Sequence, residues 1–216
     1  MAYARQLPAA DANPIESYMR SFNYPDQMQV KTAEDIAVKG IKAFFCSDVC
    51  CAYKRSIYDE LGGFIRHTIF NEDMIYAAGA LKAGYKIVYA ADARVVHSHN
   101  YTCRQQLHRN FDLGVSQAEH PEIFADVPSE GDGLKSVKST MKYLKDNRLW
   151  KWIPYLFAQS AFKYLGYLLG KNYRKLPKKW WLKLTMNREY WEQEGRKQAV
   201  ANIDAARGYG KSEKEM

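Results

Sequence analysis

The sequence predicts an α/β protein, a mixed sheet with flanking helices followed by a mainly helical C-terminal region. Three observations lead there. Short runs rich in aromatic and β-branched residues alternate with helix-length runs as far as Glu119. Pro121, Pro128, Gly131 and Gly133 punctuate the stretch from His120 to Gly133, which reads as a boundary loop. Beyond it, the runs Leu134 to Asn147, Leu149 to Gly170, Pro177 to Thr185 and Arg188 to Ala206 all read as helices. This organisation divides the chain into an α/β part over 1–120, a helical part over 134–207 and a polar, mobile tail over 208–216.

The elements follow in order. Met1 to Lys39 shows little periodicity, with a short helix expected inside Asp11 to Phe22, near Pro14, and a turn at Asn23-Tyr24-Pro25. Thr32 to Lys39 reads as a short helix with Thr32 as N-cap and Gly40 as its stop. Ile41 to Cys46 and Val49 to Tyr53 read as strands, and Ser56 to Leu61 as a short helix closed by Gly62-Gly63. Such a glycine pair either ends a helix or lets a ligand approach the backbone. A helix from Glu72 to Lys82 is closed by Gly84, then come strands at Tyr85 to Ala90 and Arg94 to His97. Tyr101 to Glu119 is helical, with Thr102 as its N-cap.

Composition bounds the function. The chain has 216 residues, 47% of them hydrophobic, enough for one domain with a core and excluding a disordered chain. Met1 to Pro14 carries no apolar run of the signal-peptide kind. The four cysteines, Cys46, Cys50, Cys51 and Cys103, do not form a secreted disulfide framework, so a reducing, cytoplasmic setting is expected. Net charge is +8, but ten cations fall between Asn147 and Arg188, where no Asp or Glu occurs, so the remainder is slightly acidic.

The candidate chemistry centres on Phe70-Asn71-Glu72-Asp73-Met74. Glu72 and Asp73 follow a glycine turn and open a helix, where orphan N–H groups and the dipole favour anions. An aspartate held ionised there can accept a proton from a hydroxyl. Taken alone, the pair fits an ordinary helix cap better than a site. His97 and His99, two apart after a strand, face one side and can bind a cation or phosphate oxygens, or simply end the strand. A zinc site from these histidines, Cys103 and another cysteine fits no familiar spacing.

The surroundings of that pair form an ordered series: Phe44-Phe45-Cys46-Ser47-Asp48, Asp59-Glu60-Leu61-Gly62-Gly63-Phe64, Asn71-Glu72-Asp73-Met74, Lys82-Ala83-Gly84-Tyr85-Lys86-Ile87 and Val95-Val96-His97-Ser98-His99. In this order it resembles the acceptor half of family 2 glycosyltransferases of GT-A fold, and within them bacterial rhamnosyltransferases that build surface polysaccharides. Arg5-Gln6-Leu7-Pro8 and Ser21-Phe22-Asn23-Tyr24-Pro25 look like the same subgroup, and the similarity runs from Ala2 to Glu119. The resemblance implies an incomplete GT-A-like sheet and an inverting transfer of a sugar from a nucleotide-sugar donor to a glycan or lipid-linked acceptor. It makes Asp73 the base, with Glu72 orienting the acceptor and Asp48, Gly62 and Gly63 lining its pocket. One of His97 and His99 would lie near the diphosphate, beside a divalent cation, Mg or Mn, in the complete enzyme. No Asp-x-Asp motif and no glycine-rich phosphate loop occurs, so this chain is expected to lack the nucleotide-binding half. The sheet edge left open would then be covered by self-association.

The basic stretch has its own reading. Trp150, Trp152, Trp180 and Trp181 flank an apolar run, Ile153 to Leu169, interrupted by Gln159, Ser160 and Lys163 and too short to span a bilayer. Cations with interfacial tryptophans suit an anionic membrane surface, which places the chain at the inner face of the cell membrane. The plain alternative is an aromatic core helix with a solvated basic end. A non-catalytic membrane-peripheral adaptor would use only these helices. Nucleic-acid binding finds no helix-turn-helix, zinc-finger or RNP-like signature and is not expected.

Overall fold

The structure is a computed structural model that describes residues 1–125 and 130–194. The expected helix beyond 194 and the tail over 208–216 lie outside the described residues.

A mixed sheet of four strands carries the N-terminal part, in the order β2 (Gln29–Lys31), β4 (Ile87–Val96), β1 (Ala2–Leu7), β3 (Cys51–Ala52). β1 runs parallel to β4, while β3 and β2 add antiparallel at the two edges. Both edge strands are very short, which limits the exposed ladder. β1, which the sequence hid, pairs on both sides. Its Tyr3, Ala4 and Gln6 are buried although Arg5 and Gln6 give the run no apolar alternation.

The two strands expected at Tyr85 to Ala90 and Arg94 to His97 are one strand, β4, with an irregularity opposite Ala4 and Arg5. Ala4 pairs with Ala90 and Arg5 with Arg94, so three residues of β4 bulge between them. The expected strands at Ile41 to Cys46 and Val49 to Tyr53 are overturned. Gly40–Ala43 and Asp48–Cys50 are short 3-10 turns, and only Cys51–Ala52 pairs as strand. Their aromatic residues are buried for another reason: Phe44 and Cys46 enter the core against Tyr3, Tyr24 and Tyr89 beneath the sheet. Lys31 is buried beside them. Its Nζ donates to the Phe45 carbonyl and sits 5.1 Å from the Tyr3 ring centroid, and burial lowers its pKa to about 8.

Five helices belong to this part, α1 (Pro14–Asn23), α2 (Asp35–Lys39), α3 (Arg55–Glu60), α4 (Glu72–Lys82) and α5 (Cys103–Glu119), of which α1 lies against β1 and α4 against β4. α4 has the expected bounds. α5 begins at the expected cap, where Thr102 and Gln105 form a reciprocal capping box. The N-cap of α1 is Asn13, whose side chain accepts from the Ile15 and Glu16 N–H groups at 3.0 Å. The loop expected from His120 to Gly133 holds a short helix, α6 (Pro121–Phe124), and the start of α7 (Glu130–Asp146).

α8 (Ile153–Lys171) and α9 (Lys178–Leu184) follow, then a helical stretch over 188–194, α10. α7 joins α1 and α8 through Ile15, Leu144 and Leu156. α8 lies directly on α5. A Cβ built on Gly166 would stand 2.2 Å from the Leu107 carbonyl oxygen, and one on Gly170 would stand 2.1 Å from that of Phe111. Only glycine permits backbones this close. Asp112 of α5 then anchors the entry to α10, accepting from Thr185 Oγ1 at 2.6 Å and the Met186 N–H at 2.9 Å. Burial nonetheless raises its pKa to about 6.

Candidate active site

Asp73 occupies the first turn of α4, partly buried, with Glu72 exposed beside it. The chain reaches α4 through Asn71, a left-handed residue at φ 66° that is 4% exposed. Asn71 is N-cap by position, yet its side chain makes no cap hydrogen bond. Instead its amide nitrogen donates to Ser116 Oγ, and that hydroxyl donates to the Phe70 carbonyl. The turn is thus fastened to α5 through Ser116, which sequence reading did not single out.

Burial pushes the Asp73 carboxyl up to about 6, and the nearby carboxylates Glu72 and Asp48 push the same way. The backbone N–H groups of Met74 and Asp48 oppose them, the Met74 N–H lying 2.7 Å from Oδ1. Two consequences follow. Asp48 and Asp73, 25 residues apart in sequence, meet at one place. And burial acts most on Asp73, followed by the Met74 N–H that opposes it and then by the carboxylates Glu72 and Asp48, with no cation clamping it among these influences. A carboxylate that ionises near 6 is charged at neutral pH and more basic than an exposed one.

Asp48 is exposed, in the 3-10 turn over Asp48–Cys50, and accepts from the Tyr53 hydroxyl. Tyr53 belongs to a cluster with Tyr58, Phe64 and Tyr76, ring centroids 5.3 to 5.8 Å apart. Tyr76 stands three residues after Asp73 on α4, so the cluster ties the Asp48 segment to the helix that bears Asp73. Gly62 and Gly63, at φ 78° and 70°, wrap this cluster. A Cβ on Gly63 would fall 2.8 Å from the Tyr58 ring, while one on Gly62 would meet open space. Gly63 is therefore required for packing, and Gly62 is the one of the pair facing an open side.

His97 and His99 do converge, Nε2 to Nε2 at 3.1 Å with rings perpendicular, and His99 stacks on Tyr101. Burial, then His99 and Arg20, lowers the pKa of His97, which favours its neutral ring. No direct contact joins this pair to Asp73. A partly buried chain runs between them: Arg20 donates to Gln6 Oε1, and buried Gln6 donates through Nε2 to Ser47 Oγ at 2.7 Å. Ser47 also hydrogen-bonds Tyr24, whose hydroxyl is pushed up to about 12 mainly by burial and feels the Asp73 charge. Sequence reading missed Gln6, Arg20, Ser47 and Tyr24. The Arg5-Gln6 and Asn23-Tyr24 dipeptides were visible, but not that they share a buried network.

His97 and His99 offer at most two imidazole nitrogens to a cation, whose remaining ligands would come from elsewhere. Among the described residues no group of three or more His, Cys, Asp and Glu side chains could hold a metal. A cavity of about 340 Å³ lies elsewhere, where Gln117 and Pro121 meet Lys171, Asn172, Arg174 and Lys175, and includes none of the residues above.

Over 188 residues, 87% of its length, the chain is 45% identical to the O-antigen chain rhamnosyltransferase WbaN of Salmonella anatum. It is 44% identical, over the same length, to the O-antigen chain rhamnosyltransferase RfbN of Salmonella typhimurium strain LT2. The chain is homologous to rhamnosyltransferases. It spans 59% and 60% of the lengths of these two relatives. No family model matches the chain, and no solved structure matches it.

Proposed function

We propose that this chain is the acceptor side of an inverting glycosyltransferase of family 2 and GT-A fold. It would move a sugar, rhamnose by analogy with its relatives, from a nucleotide-sugar to a glycan or lipid-linked acceptor at the inner face of the cell membrane. One observation carries the reading: Asp73 is a raised, partly buried carboxylate without a cation among its main influences, set beside exposed Asp48 on a turn clamped to α5 through Asn71 and Ser116. The acceptor hydroxyl gives its proton to Asp73 as its oxygen bonds to the anomeric carbon, and the bond to the nucleoside diphosphate breaks with its electrons leaving on phosphate oxygen. The raised pKa of Asp73 favours taking that proton. Asp48 and the open side of Gly62 hold the acceptor, and Glu72 orients it. His97, neutral, and His99 donate to the diphosphate, where a divalent cation acts in the complete enzyme if other ligands reach it.

The test is Asp73→Asn in the complete transferase. Loss of transfer by about 100-fold or more, with the circular dichroism spectrum unchanged, is expected of a lost general base. Full activity in that variant overturns the assignment. A second reading, a non-catalytic acceptor-binding adaptor, draws on the position of the cavity away from Asp73, and it predicts that Asp73→Asn leaves transfer untouched.

A further inference from the structure

Among the described residues, the outer side of α8 has no partner. Pro154, Phe157, Ala158, Ala161, Leu165 and Leu168 fall on one side of the helix at three- and four-residue spacing, and all are exposed. Phe157 is 51% exposed and Leu165 48%. From Pro154 to Leu168 this stripe runs roughly 20 Å and contains no charged residue. The opposite side, with Leu156, Gln159, Gly166 and Gly170, is buried. The helix is therefore packed on one side and bare on the apolar other, and a contiguous exposed apolar stripe marks a contact surface.

Charge says what the contact is. Exposed Arg148 and Lys151 precede the stripe and exposed Lys171, Arg174 and Lys175 follow it. The last three line the cavity of about 340 Å³ at the C-terminal end of α8. Trp150, 57% exposed, and Trp180, 49% exposed, stand in the segments before and after α8. No acid occurs between Asn147 and Arg188, so a second copy docking here would set cations against cations. No helix among the described residues is long and apolar enough to cross a membrane. We propose that this face docks the protein onto an anionic lipid bilayer. α8 lies in the plane of the headgroups, its apolar stripe enters the acyl boundary, and the exposed cations at its two ends, Arg148 and Lys151 before it and Lys171, Arg174 and Lys175 after it, meet lipid phosphates. The inference rests on α8 and the segments that flank it, and holds whether or not Asp73 is a base.

The experiment is vesicle sedimentation of the full chain with phosphatidylcholine vesicles and with vesicles of about 30% phosphatidylglycerol. Binding at least about tenfold tighter to the anionic vesicles is expected. Phe157→Glu with Leu165→Glu should abolish sedimentation on both. Lys171→Glu with Lys175→Glu, both on exposed side chains that leave folding undisturbed, should remove the anionic preference alone and report even if the first pair fails to fold. Equal recovery in the supernatant with both vesicles overturns the proposal, as does anionic binding unchanged in the lysine variant. Light scattering adds the remaining arm: a concentration-dependent dimer without vesicle binding would give the face to a second copy and also overturn it. Inorganic phosphate that competes without vesicle binding would leave an ion site and no membrane surface.

Discussion

Ser116 grips Asn71: the Asn71 amide donates to Ser116 Oγ at 3.2 Å, and the same hydroxyl donates to the Phe70 carbonyl at 2.6 Å. This clamp fixes a left-handed, buried residue two positions before Asp73. Geometry at the carboxylate is thus set from α5, through a contact spanning 45 residues.

Asn71→Ala should cost about 2 kcal/mol, from positive-φ strain together with the lost hydrogen bond. Asn71→Gly keeps the backbone conformation and should cost about 1 kcal/mol. Urea unfolding measures both. Equal stability of the two variants would show that strain at φ 66° contributes nothing.

Asp73 gives a pH signature. Its folded pKa, about 6, lies above the ordinary 3.8, so the native state binds the proton more tightly than the unfolded chain. Stability is therefore lost as pH rises from 3.8 to about 6, and the deficit persists above that. Asp73→Asn should raise stability by about 1–3 kcal/mol at pH 7.5, and the gain should vanish below about pH 4. Thermal unfolding across that range checks it. A gain independent of pH would place the effect in packing and not in the carboxylate.

The crossing of α5 and α8 tolerates no Cβ. Gly166→Ala and Gly170→Ala should each destabilise by about 3 kcal/mol or more, since the new methyl meets backbone oxygen that cannot move alone. Gly79→Ala in α4 is the control. Nothing lies within 4 Å of its Cβ, so it should be neutral or gain up to about 1 kcal/mol. Denaturant midpoints compare the three.

Local signals were legible wherever an element is decided by its own residues. α4 carries Asp73 within its expected bounds, and the Thr102 cap opens α5 as its sequence says. The aromatic run through Phe44 and Phe45 misled, because burial of rings under a sheet looks in sequence like membership of it. β1 went unseen since its neighbours, not its pattern, make it a strand.

By itself the sequence determined an α/β part followed by helices, the Glu72-Asp73 pair at a helix start, and an acid-free basic stretch. These depend on spacing of three or four residues, or on composition, which a chain states before it folds. Only the tertiary structure decided that Asp48 meets Asp73, that Gln6, Arg20, Ser47 and Tyr24 form one buried network, and that α8 keeps an apolar side uncovered. Each of these depends on segments far apart in sequence being brought together, and on burial, which raises Asp73 and has no local signature.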